Sequence, residues 1–164
     1  MNSFITNATR VRRVHQGMSA QCDGVLPRIP EDADLASFLD LDVVHELLHK
    51  AVQTPTVLIP VATKILHRKR RSLIPMLDNV VLEYYLKATG KGAFLPETEN
   101  KTRAANAAIE VLKAFRDDLG RVRPQLEAIA ESLRPKFRMT PLRILEVLVW
   151  TEKEPSQPGY YRNV

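Results

Sequence analysis

Between Glu46 and Asp78 the sequence has no acidic residue. Six cations fall in that gap: Lys50, Lys64, Arg68, Lys69, Arg70 and Arg71. The whole chain has 24 Lys and Arg against 19 Asp and Glu, a formal net charge of +5. Outside the gap the balance is 18 cations to 19 acids, so the positive excess is local. Other shortages exclude whole classes of protein. Cys22 is the only cysteine, which rules out an internal disulfide and makes a reducing cytoplasm the simplest setting. No apolar run approaches the ~18–20 residues of a membrane span. The opening MNSFITNATRVRRVHQG has no apolar core of signal-peptide length before its arginines. There is no Walker-type glycine loop, no G-x-S-x-G and no set of zinc-ribbon cysteines. His15, His45, His49 and His67 form no metal-site pattern. His45 and His49 share a helix face at i, i+4 but have no third ligand nearby, so neither a metal nor a cofactor is implied.

What is present is helical. Six glycines against eleven prolines fit helices with proline-marked starts better than a sheet of hairpins. A hydrophobic content of 45% and a charged content of 26% suit a globular domain, and 164 residues suffice for one real core. Val11, Val14, Met18, Cys22 and Val25 recur at helical spacing after a possible Asn7 cap. Glu31-Asp32-Ala33-Asp34 reads as the entry to a short helix ending near Leu39, because acids suit a helix N-terminus. Asp40 or Asp42 caps the next helix, with Leu41, Val44, Leu47, Leu48 and Ala51 inward. Gln53-Thr54-Pro55 ends it. Pro60 opens a second helix, with Val61, Ala62, Ile65 and Leu66 on its buried side.

Ser72-Leu73-Ile74-Pro75 reads as an extended link, and Asp78 as the N-cap of a helix from Asn79 to Ala88. Residues Lys91 to Asn100 form the main surface loop. A helix from about 101 to 118 ends before Gly120, and Pro124 opens another. Thr140-Pro141 caps the last, with Leu142, Leu145, Leu148 and Val149 inward and Trp150 at its end. The expected fold is all-α, a single-domain helical bundle over residues 8–150, with an N-terminal tail 1–7 and a C-terminal tail 151–164.

Two features carry possible chemistry. The basic arm, Lys64, His67, Arg68, Lys69, Arg70 and Arg71, suits the phosphates of a nucleic acid, whose contacts give affinity without reading sequence. The plain alternative is a solvated helix face. Asp78 suits a helix cap, and in a partly dry cleft it would also suit a general base or a stabiliser of positive charge. Tyr84 and Tyr85 fit the core better than a base-stacking platform, and Trp150 fits a packing anchor.

Three blocks carry a resemblance. Val61 to Val81, VATKILHRKRRSLIPMLDNVV, resembles the centre of an uncharacterised bacterial domain-of-unknown-function family, A-x-K-L-L-A-R-K-R-P-x-L-I-P-V-x-D-S-V-V. Leu26 to Leu35 resembles its I-P-x-D-x-D-L block, and Leu142 to Trp150 its closing L-R-V-L-D-V-V-V-W. The helix–turn–helix followed by Ile74-Pro75-Met76-Leu77-Asp78-Asn79-Val80 also resembles the helix-hairpin-helix DNA glycosylase fold. That resemblance implies duplex DNA as partner, Thr56 to Ile59 as the phosphate-binding hairpin turn and Asp78 as the catalytic carboxylate of a monofunctional enzyme. The usual hairpin glycines are missing, and the nucleophilic lysine of the bifunctional enzymes has no match near Ile59 or Pro60. Schiff-base chemistry is therefore not expected. The reading from another class is a non-enzymatic interaction module whose basic face meets an acidic protein.

Overall fold

Apolar residues at three- and four-residue spacing build the longest element, helix α5 (Lys101–Leu133). The computed structural model describes residues 3–88, 90 and 100–153, with the side chains of 3–12 and 153 outside that description. The expected break in α5 does not occur: Gly120 and Pro124 lie inside one continuous helix. Pro124 has no N–H to give to the carbonyl of Gly120, and its ring crowds that carbonyl. The helix continues because its buried stripe does, with Leu119 and Leu126 fully covered on either side of the proline. Gly120 is exposed, so solvent can reach the carbonyl that Pro124 does not pair. Tertiary packing outweighs two local breakers here.

The other helices surround α5. They are α1 (Ser3–Cys22), α2 (Leu41–Gln53), α3 (Ile59–His67), α4 (Asn79–Ala88) and α6 (Pro141–Lys153). A single 3-10 turn covers Leu26–Arg28, and no strand occurs among the described residues. α5 packs against α2, α3, α4 and α6, while α1 lies on α2 and α4 on α6. One core joins them, including Leu35, Leu47, Leu66, Leu77, Leu82 and Phe115. The ring of Tyr85 lies 5.0 Å from that of Phe115, and the Tyr85 hydroxyl donates to Asp118 Oδ2 at 3.0 Å. Tyr85 is thus a core residue. No described helix is long and apolar enough to cross a membrane.

Among the described residues, four side-chain caps start helices. Asp40 Oδ1 accepts from the Val43 N–H at 3.1 Å and Asn100 Oδ1 from the Arg103 N–H at 2.9 Å. Thr140 Oγ1 accepts from the Arg143 N–H at 3.1 Å, and Asp78 Oδ1 from the Val81 N–H at 3.0 Å. Each such cap stabilises its helix by roughly 1 kcal/mol.

Several expectations need correction. α1 begins at Ser3, inside the segment read as a tail, and α6 runs past Trp150 to Lys153. The short helix expected before Leu39 is a series of turns. Asp34 Oδ1 accepts from the Ala36 N–H, and the Leu35 N–H donates to Ser72 O at 2.9 Å, a bond that no local helix provides. Val61 and Leu148, expected inward, are exposed. Of the expected surface loop, residues 91–99 lie outside the described residues, as do 1–2 and 154–164 of the tails.

Candidate functional site

The candidate site is built on the chain between α3 and α4. Residues 68–73 turn tightly after α3, with the Leu73 and Ile74 N–H groups both donating to Arg70 O. Ile74, Pro75 and Leu77 are then buried in non-helical backbone, whose polar groups must find partners. Side chains supply them. His67 Nδ1–H donates to Ile74 O at 2.7 Å. The Met76 N–H donates to Glu146 Oε1 at 2.7 Å, and the Leu77 N–H to Thr63 Oγ1 at 3.1 Å. Thr63 in turn donates to Ile59 O at 2.9 Å. This scaffold fixes the path of the link that leads to Asp78.

Glu146 is almost fully buried, on the same face of α6 as Leu142, Leu145 and Val149. It also accepts from the Arg143 guanidinium, and His67 Nδ1 lies 4.0 Å away. Burial pushes its carboxyl above the usual range, against the opposing pull of Arg143, the Met76 N–H and His67. A lone acid at apolar helical spacing within Leu142–Trp150 is a signal the sequence carries but the periodicity reading passed over.

The six residues of the predicted basic arm divide. His67 turns inward to Ile74 O and Glu146. Arg70 also turns inward and is 7% exposed. Its Nε and Nη2 donate to Ile29 O at 2.9 and 2.7 Å, Nη2 to Leu26 O at 3.1 Å and Nη1 to Lys69 O at 2.8 Å. Its guanidinium therefore clamps the 26–29 turn, where a solvent-facing position was expected. Lys64 is exposed on α3, one helical turn before Arg68. Arg68, Lys69 and Arg71 are exposed and come together.

Those three residues, with Arg70 in the wall, line a groove of about 600 Å³ whose other side is Leu26, Pro27 and Glu31. Four cations thus face one carboxylate. Arg68 stands at the C-cap of α3, where the negative end of the helix dipole favours positive charge. Most other cations among the described residues are paired, among them Arg28 and Lys50 with Glu46, Lys87 with Glu83, Lys113 with Glu110, and Arg121 with Asp118. Arg123 holds Asp34 through two 2.8 Å bonds and also meets Glu127. Burial is the largest single influence and pushes the Asp34 carboxyl up, but the Arg123 hydrogen bonds, the Ala36 N–H and the Arg123 charge together outweigh it and hold that carboxyl below its ordinary range. Among the described residues, no carboxylate forms an ion pair with Lys64, Arg68, Lys69 or Arg71.

The helix-hairpin turn is less suited to a phosphate. Pro60 has no N–H, and the Val61 and Ala62 N–H groups both donate to Leu58 O. Thr56 takes a φ of 65°, a left-handed conformation that costs a β-branched residue energy. Asp78 caps α4, as above, and is not among the residues lining the basic groove. His45 and His49 lie between α2 and α5, with Nε2 atoms bonded to Asn106 Oδ1 at 2.7 Å and Thr102 Oγ1 at 3.1 Å.

A model described as a family of unknown function, DUF6308, matches residues 6–153. The chain belongs to DUF6308. The match takes in all three blocks by which the sequence resembled such a family. In this DUF6308 chain those blocks meet in space: the first gives Leu26 and Ile29 to Arg70, and the third gives Glu146 to Met76. No curated protein and no solved structure matches the chain, so the likeness to the glycosylase fold rests on the sequence alone.

Proposed function

We propose that the chain binds nucleic acid by its phosphate backbone, with Arg68, Lys69 and Arg71 as the contacting cations and Lys64 extending their reach. One observation carries this reading: three exposed cations share a groove in which none has a carboxylate partner, on a surface where most other cations do. Uncompensated charge in a concave seat attracts a polyanion and gains from counterion release. Arg70 supports the site indirectly, by holding the 26–29 wall. Duplex DNA is the partner that the sequence resemblance implies, and phosphate contact alone gives no sequence preference. The reading is one of binding, because Asp78 serves α4 and stands outside the groove's lining.

The test is an anisotropy titration of a fluorescent 20-mer duplex with the native chain and with the triple variant R68A/K69A/R71A. Three to four neutralised phosphates predict that native affinity falls roughly 40- to 150-fold between 50 and 200 mM salt. The triple variant should bind weakly at both salts. Unchanged binding by the variant would reject the groove as the seat. An acidic protein that co-purifies with the native chain, together with no retention of DNA, would favour the interaction module.

A further inference from the structure

A second element stands beside the groove. The segment from Arg134 to Thr140 leaves α5 and enters α6, and Thr140 Oγ1 donates to Arg71 O at 3.4 Å. At its other end the Lys136 and Phe137 N–H groups donate to Leu133 O at 2.9 and 2.7 Å. The segment is therefore anchored at both ends, one of them on a groove residue. Phe137 is 59% exposed, the most exposed aromatic side chain among the described residues. Lys136 and Arg138 flank it, both exposed and neither in an ion pair among the described residues. Phe137 is three residues from Thr140, so the two Cα atoms lie within about 11 Å of each other.

We infer that Phe137 is a stacking platform for an unpaired base, and that the preferred partner is single-stranded nucleic acid. This rests on the phosphate-binding reading above and names the partner more closely. Exposing a phenyl ring to water is unfavourable, and a base face would cover it. Cations on either side would hold the phosphates next to that base, while Arg68, Lys69 and Arg71 track the strand into the groove. A duplex keeps its bases stacked on one another, so it can use the cations but not the ring. An anionic membrane is the less suitable partner. Its headgroups form a plane, whereas these cations line a concavity, and the other exposed apolar residues, such as Leu39, Leu58 and Leu148, are spread over separate elements.

The experiment compares a labelled dT15 strand with a 15-bp duplex, using the native chain, F137A, F137L and F137W. The inference predicts tighter binding of the strand than the duplex. F137A should lose roughly 5- to 150-fold on the strand, with the duplex unchanged. F137L, apolar but without a π face, should lose nearly as much, and F137W should retain or improve affinity. Because the ring is exposed, all three variants should keep the native melting temperature. If native chain binds both nucleic acids and F137A binds the strand as well as native, the stacking role is overturned while the phosphate reading stands. If native chain binds neither, both fall. Binding to phosphatidylcholine–phosphatidylserine vesicles that F137A loses and F137L keeps, without a strand preference, would assign the ring to a membrane and overturn the inference.

Discussion

Arg70 Nη2 lies 2.7 Å from the carbonyl oxygen of Ile29, a contact across 41 residues of sequence. Nε of the same guanidinium reaches the same oxygen, so one buried cation holds the wall of the groove while its neighbours on either side face solvent. A buried charge is tolerated only where its donors are satisfied, and here backbone carbonyls satisfy them.

Arg70→Ala should therefore be a stability variant. Losing charge-assisted bonds and leaving buried carbonyls without donors should cost on the order of 3 kcal/mol in urea denaturation. The triple variant R68A/K69A/R71A should stay within about 0.5 kcal/mol per site, as exposed substitutions do. Equal costs for the two would contradict the division of residues 68–71 into one structural and three free cations.

This division also marks what the sequence could disclose. The caps Asp40, Asp78 and Thr140 were legible because a cap bonds a backbone N–H three residues away. The local excess of charge was legible by composition. The direction of Arg70 was not, because two of its three acceptors, Leu26 O and Ile29 O, lie more than 40 residues upstream. Asp34 and Arg123 are 89 residues apart, and no local pattern pairs them. Pro124 and Gly120 misled for the opposite reason: their local preference is real, but the packing of Leu119 and Leu126 prevails.

Glu146 gives a pH-dependent prediction. Its carboxyl is raised by burial from an ordinary value of 4.5. A raised acid holds its proton more tightly folded than unfolded. Its stabilising share is complete below the unfolded value and is lost as pH rises through the folded one. Glu146→Gln keeps an acceptor for the Met76 N–H and removes the buried charge. Its melting temperature relative to native should therefore climb as pH rises above the ordinary carboxyl value of 4.5. Glu146→Leu leaves that N–H without an acceptor and should be about 1–3 kcal/mol less stable than the Gln variant at any pH. A Gln variant whose difference from native is flat with pH would contradict the direction of the shift.

The hairpin between α2 and α3 has two correctable flaws. Thr56 sits at a φ of 65°, and Thr54 Oγ1 is buried with no hydrogen-bond partner among the described residues. Thr56→Gly should stabilise by about 1 kcal/mol, the left-handed penalty outweighing the added freedom of the unfolded chain. Thr54→Val should also stabilise by up to about 1 kcal/mol, since it removes an unpartnered hydroxyl at nearly constant volume. Denaturation midpoints that fall for both would show that the turn is not strained.

Asp78 should behave as a cap. Asp78→Ala should cost about 1 kcal/mol, and Asp78→Asn much less, because asparagine caps as well. Both should bind nucleic acid as native does. Release of a base from damaged duplexes by the native chain, abolished in Asp78→Asn with binding intact, would instead make this carboxylate catalytic.

The most direct test is the dependence of binding on salt. Plotting log affinity against log salt for a labelled single strand, native chain and R68A/K69A/R71A should give straight lines whose slopes differ by about 2, close to 0.7 for each of three lost phosphate contacts. Parallel lines, or a native chain whose affinity ignores salt, would show that the open cations of the groove do not hold phosphates.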